Sequence, residues 1–264
     1  MKNYILTGLS LFVLGMSGCK NDEGVNLFSI QDDKNFGLQV KGEIESDPAT
    51  YPILPEASNP AAYAYLNGIR NDILNSGKVI HKDDFDWEMY IIKDDNVQNA
   101  FCTPGGYIYV YTGLIKYLDD KCSLAGVLGH EMAHADKRHS TEQLTKVYGV
   151  QTMVQIALGN NQGLLSDVAQ QLLSLSFSRA NETEADKYSV IYLCPSKYHA
   201  DGAANFFQKI IDEGSPNPPA FLSTHPSPDN RVANIQSEAQ NLGCSASIAQ
   251  QEEITEYTQF KNSL

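Results

Sequence analysis

The sequence predicts an α+β chain, mostly helical, with a small β-sheet packed beside one central helix. Three observations carry that expectation. Apolar residues recur at helical spacing through most of residues 29–240. Two short runs, Trp87 to Ile92 and Tyr107 to Thr112, are instead rich in aromatic and β-branched residues. A long segment starting near Lys121 or Cys122 then carries two histidines one helical turn apart.

The elements follow in order. Ser29-Ile30-Gln31-Asp32 reads as an N-cap with an acidic first turn, and Phe36, Val40 and Ile44 repeat at helical spacing as far as Pro48. Four prolines between residues 48 and 60 mark a loop. Asn59-Pro60 opens a second helix, lined by Tyr63, Leu66, Ile69, Ile73 and Leu74 and closed near Gly77. Between the two strands, Pro104-Gly105-Gly106 marks a turn or a place where another backbone comes close. Residues 141–175 are helical in pattern, with a break expected near Gly159–Gly163. A helix from about Phe177 to Leu193 stops at Pro195, a short one covers 199–214, and a last amphipathic one starts near Pro228.

At 264 residues the chain can bury one sizeable core. A net charge of −13 with no cluster of Lys and Arg excludes a phosphate-binding surface, so nucleic acid is not a partner. Lys2 followed by the short apolar run Ile5 to Met16 reads as a targeting segment. Met16-Ser17-Gly18-Cys19 resembles a bacterial lipobox, in which cleavage before Cys19 leaves that cysteine lipid-modified. The chain then divides into a signal peptide (1–18), a lipid-anchored tether (19–28) and one domain (29–264). No later stretch reaches the ~18 apolar residues a membrane helix needs. The expected place is the bacterial cell envelope, on a membrane through the anchor, facing periplasm or cell surface. Four further cysteines, Cys102, Cys122, Cys194 and Cys244, suggest disulfides there. Cys102–Cys122 and Cys194–Cys244 close the shorter loops and are the favoured pairs.

Residues 130–134 read His-Glu-Met-Ala-His. On a helix, His130 and His134 share a face and can converge on one zinc ion. Glu131, rotated about 100° round the axis, stands where a general base must stand to take a proton from the attacking water. Catalytic zinc usually takes three protein ligands. Ser178-Arg179-Ala180-Asn181-Glu182-Thr183-Glu184-Ala185-Asp186 offers the third. Glu182 and Asp186 share a helix face, so Glu182 reads as the ligand and Asp186 as the acceptor for a ligand histidine's Nδ1 proton. Glu184 points away and reads as a solvated bystander. His139 lies about 140° from His134 on a continuous helix and reads as structural.

These residues resemble the gluzincin metallopeptidases of the CAAX-endopeptidase, HtpX, Oma and BepA group, in a soluble lipoprotein branch. Asn99-Ala100-Phe101 with Pro104-Gly105-Gly106-Tyr107-Ile108 is similar to that group's strand before the active-site helix. Leu124 to His139 is similar to its zinc helix. Ser178-Arg179, Glu182 and Ala185-Asp186 match its third-ligand helix, and Thr224-His225-Pro226 with Arg231 matches its C-terminal signature. The resemblance implies a zincin-like fold and one Zn2+ per chain on His130, His134 and Glu182, with Glu131 as base and Asp186 and Arg231 in support. It implies two alternative roles for His225: stabilising the tetrahedral oxyanion, or occupying the zinc's open position as a self-inhibiting ligand. Gly105, Gly106 and Tyr107 are expected to offer a strand edge to an extended peptide. The expected activity is endoproteolysis of unfolded or misfolded envelope proteins. The alternative is a non-proteolytic, zinc-containing chaperone or assembly factor.

Overall fold

A computed structural model describes residues 28–264 except 161, 217, 228 and 247–249. The signal peptide, Cys19 and the tether as far as residue 27 lie outside the described residues. Phe28, assigned to the tether by sequence, is buried and its carbonyl accepts from Arg138.

Helix α1 (Ile30–Ser46) starts with a reciprocal cap: the Ser29 side chain accepts from the Asp32 N–H, and Asp32 accepts from the Ser29 N–H. Helix α2 (Pro60–Leu74) starts on its proline. Three strands follow, β1 (Glu88–Ile92), β2 (Ala100–Thr103) and β3 (Tyr107–Tyr111), in the spatial order β1-β3-β2. β1 runs parallel to β3 and β2 antiparallel to it. The aromatic and β-branched composition marked only β1 and β3. β2 is four residues long and pairs through the Pro104–Gly106 turn, in which Gly106 has φ +86°. A Cβ on Gly106 would sit 3.0 Å from the Trp87 ring, so this turn takes only glycine there.

Strand alternation splits the core in two. Met89, Ile91, Ala100, Cys102, Ile108 and Val110 point to one face, towards α2 and α4 (Lys121–Asp136). Ile92, Tyr107 and Tyr109 point to the other, against Phe36, Val40 and Ile44 of α1. On that second face Tyr90, Tyr109 and Phe101 stack across all three strands, with ring centroids 4.9 and 4.8 Å apart.

A short α3 (Thr112–Tyr117), which the sequence pattern did not show, leads into α4. Asp120 caps α4 by accepting from the Ser123 N–H at 2.6 Å, and every residue of the helix is buried. Helix α9 (Gly202–Glu213) packs directly on it: a Cβ on Gly126 would meet the Ala203 nitrogen at 2.1 Å, so the two backbones touch. Beyond α4 come α5 (His139–Tyr148), α6 (Val150–Ala157), α7 (Gln162–Leu173) and α8 (Arg179–Leu193). The break expected near Gly159 is present, and a second one falls at Gly149, where φ is +77°. Helices α10 (Phe221–Thr224), α11 (Arg231–Asn241) and α12 (Gln250–Asn262) complete the chain. Among these, α10 and α12 were not visible in the sequence pattern.

Cys194, at the end of α8, is bonded to Cys244 beyond α11. The expected Cys102–Cys122 bond is absent: both cysteines are buried and neither is in a disulfide. Cys122 accepts from the His199 N–H at 3.2 Å. Cys102 instead lies beside Glu131: burial pushes its thiol pKa up, and the Glu131 charge adds to the shift. Glu131 is nine residues beyond Cys122 on α4, about 13 Å along the axis. That is too far for a disulfide.

Candidate metal centre

Three elements and one loop meet at a buried cluster. Helix α4 brings His130, Glu131 and His134; α8, capped by Ser178 accepting from the Asn181 N–H at 3.1 Å, brings Glu182 and Asp186. The turn after α10 brings His225, and the first residue of α11 is Arg231. His130, Glu131, His134, Glu182 and His225 are each no more than 1% exposed.

The donor atoms converge. His130 Nε2 lies 3.0 Å from His134 Nε2 and 3.4 Å from both Glu182 Oε2 and His225 Nδ1. Glu182 Oε1 lies 3.3 Å from His134 Nε2 and 3.1 Å from His225 Nδ1. Zinc held tetrahedrally at about 2.0–2.1 Å needs donors roughly 3.3 Å apart, so these four side chains fit that ion. The charge fits as well. Glu131, Glu182 and Asp186 oppose the single guanidinium of Arg231 in this buried cluster, a surplus of two negative charges that a dication offsets. Burial alone would lower the His130 pKa, yet Asp186 and Glu182 raise it to about 9. A proton there supplies part of the positive charge the cluster lacks. Burial holds the His134 imidazole neutral, the form that ligates.

Each ligand has a partner behind it. Asp186 Oδ1 stands 2.9 Å from His130 Nδ1. Arg231 grips Asp186 with Nε and Nη2, both at 2.7 Å, and reaches Glu182 Oε2 at 2.9 Å. The Phe177 ring stacks on His134 with centroids 4.0 Å apart, and Phe221 stacks on His225 at 4.1 Å. Glu131 is different. Its Oε1 is buried without a hydrogen-bond partner among the described residues; His225 Nε2 lies 3.5 Å from it. Burial pushes its carboxyl pKa up, against the pull of His225 and His130.

Two expectations fail here. The strand edge assigned to Gly105, Gly106 and Tyr107 does not exist, because β3 is the middle strand and is paired on both sides. Tyr107 points to the far face of the sheet and donates to Asp86 at 2.6 Å. The outer strands are β1, partly covered by Pro52 and Leu54 through bonds to Lys93 and Ile91, and β2. Asn99 accepts from the Tyr111 N–H, so the register turns the backbone groups of Ala100 and Cys102 away from β3. Glu184 is no bystander either: its Oε2 lies 3.3 Å from His139 Nε2, and His139 Nδ1 lies 2.9 Å from His134 Nδ1. The helical-wheel angle missed this because α4 ends before His139.

Relatives share this region. The Beta-barrel assembly-enhancing protease of Escherichia coli (strain K12) is 27% identical over 206 residues, covering 71% of this chain and 41% of that protein. The protein of the same name from Yersinia pestis is 26% identical over 203 residues, with the same coverage. The Mitochondrial metalloendopeptidase OMA1 of Arabidopsis thaliana is 33% identical over 166 residues, 60% of this chain and 34% of that one. The chain therefore spans about two fifths or less of these relatives' lengths. The profile described as Peptidase family M48 matches residues 60–239, which takes in the strands, both ligand-bearing helices, His225 and Arg231. The chain belongs to peptidase family M48.

Proposed function

We propose that this chain is a zinc-dependent endopeptidase acting on unfolded or misfolded envelope proteins, kept latent at rest by His225. One observation carries the reading: a buried carboxylate, Glu131, whose Oε1 accepts no hydrogen bond among the described residues, beside four converging metal donors. His130, His134 and Glu182 would hold the ion. A bound zinc polarises a scissile carbonyl and makes water more acidic. Glu131 takes the proton from that water and passes it to the leaving amine.

The position of His225 favours the self-inhibiting reading over the oxyanion one. Its Nδ1 faces the other three donors, and the whole cluster is closed to solvent. The segment that carries it is also tied next to the strand edge, since the Phe221 N–H donates to the Gln98 carbonyl just before β2 at 3.0 Å. Thr224 fixes the other end by accepting from the Phe177 N–H at 3.0 Å. Lifting residues 221–225 would free the fourth metal position and the β2 edge together. An extended peptide could then pair with β2, which selects unfolded chains over native surfaces. The Cys194–Cys244 bond fits an oxidising compartment, and no helix among the described residues is long and apolar enough to cross a membrane. Attachment through a lipid on Cys19 completes this reading.

The test is cleavage of unfolded casein by the zinc-loaded protein, His225→Ala and Glu131→Gln. His225→Ala is expected to cut faster than wild type. Glu131→Gln is expected to lose about 10²–10⁴-fold in rate while keeping its zinc. If neither wild type nor His225→Ala cuts any unfolded protein with zinc in place, the chaperone reading replaces this one.

A further inference from the structure

We infer that His139 and Glu184 form a relay that sets the tautomer and orientation of the ligand His134, making His139 a positioning residue for the metal. The inference rests on the zinc reading above. A histidine that ligates through Nε2 carries its proton on Nδ1 and needs an acceptor there. For His134, the one polar atom placed to accept among the described residues is His139 Nδ1, 2.9 Å away. Accepting at Nδ1 leaves the His139 proton on Nε2, which faces Glu184 Oε2 at 3.3 Å. The donors run in one direction, from His134 to His139 to Glu184. Lys137 holds the far end, 3.3 Å from Glu184 Oε1.

The backbone builds this contact. Helix α4 ends at Asp136, and Arg138 takes up a left-handed conformation with φ 62°. For a non-glycine residue that conformation needs outside support. Arg138 receives it from α1, through the Asp33 carboxylate and the carbonyls of Phe28 and Ser29. The reversal at Arg138 starts α5 and swings the His139 ring edge-on to His134, with centroids 4.9 Å apart. His139 is 1% exposed, so the ring is fixed there by packing.

The experiment measures zinc affinity by chelator competition and the visible spectrum of the cobalt-substituted protein. It compares wild type, His139→Phe, His139→Asn and Glu184→Gln. His139→Phe fills the space without an acceptor and is expected to weaken zinc binding about 10–100-fold and to change the cobalt spectrum. His139→Asn keeps an acceptor and is expected to recover part of that loss. Glu184→Gln, at the half-exposed end, is expected to weaken binding several-fold without loss of folding. A zinc affinity within twofold of wild type in His139→Phe, with a melting temperature lowered equally with and without zinc, would show packing alone and overturn the relay. Should His139→Phe not fold, unchanged zinc affinity and cobalt spectrum in both His139→Asn and Glu184→Gln overturn it instead. A wild-type chain that takes up no zinc sinks the proposed function itself, a separate outcome.

Discussion

The two ligand histidines of α4 are backed in different ways. Behind His130 stands a carboxylate in direct contact, Asp186, itself gripped by Arg231, and the whole assembly is buried. Behind His134 stands a second imidazole, and the carboxylate comes only after it, half-exposed and paired with a lysine. The first support is a charge cluster in low dielectric, where each partner's removal leaves an uncompensated ion. The second ends near water, where solvent screens whatever is lost. The two histidines do the same job for the metal, so substitutions should separate the supports cleanly.

The largest effect is expected at Arg231. Arg231→Met keeps an apolar stem over Phe207, whose ring the guanidinium now covers at 3.7 Å, but leaves Glu182 and Asp186 without their cation. Breaking such a buried pair costs about 3–5 kcal/mol. In the metal-free protein that corresponds to a fall in melting temperature on the order of 10 °C. The fall should be smaller with zinc bound, because the dication then neutralises Glu182. Calorimetry of both forms checks this, and equal losses with and without zinc would mean that Arg231 acts by packing alone.

Asp186→Asn comes next. The amide keeps an acceptor near His130 Nδ1 but removes the charge, so zinc affinity is expected to fall about 10–100-fold. The loss should exceed that of Glu184→Gln measured in the same competition assay. If the two losses match, burial of the His130 support gives it no advantage.

The same contrast explains what could be read in advance. Both supports rest on helices, yet only one keeps a helical spacing. Glu182 and Asp186 sit four apart on α8, and α8 runs unbroken through both, so the sequence period places them on one face. His134 and His139 straddle the end of α4, and no spacing rule survives a residue with φ 62°. That conformation is imposed by Asp33 and two carbonyls from a helix more than a hundred residues upstream, a tertiary cause with no local signal. The Arg231–Asp186 grip spans 45 residues, and family resemblance rather than periodicity pointed to it. Among the strands, β1 and β3 are five residues each and rich in aromatic and β-branched residues, whereas β2 has four and draws its stability from pairing with β3. Cys102 was misread for that reason: without β2 in place, nothing put its thiol beside Glu131 rather than beside Cys122.

Glu131 accepts no hydrogen bond at Oε1 among the described residues and has only the His225 imidazole 3.5 Å away, and the smallest predicted effect follows from that. Its carboxyl pKa is raised because the ionised form is buried with Oε1 unpartnered. A folded-state pKa above the unfolded one means the native protein holds this proton more tightly than the unfolded chain does. Below the ordinary glutamate value of about 4.3 both states are protonated and Glu131 costs nothing. As pH rises past that value the unfolded chain ionises first, and the penalty is complete once the folded-state group has lost its proton too. Glu131→Gln removes the penalty, so the metal-free variant should melt above metal-free wild type at neutral pH, by a few degrees, with the gap closing in acid. A gap that is absent at neutral pH, or that stays constant into acid, would mean that Glu131 has a partner that holds its charge. Zinc should narrow the gap, since a cation beside Glu131 favours the ionised form. The base then binds no metal, yet its ionised form is stabilised by the metal's presence.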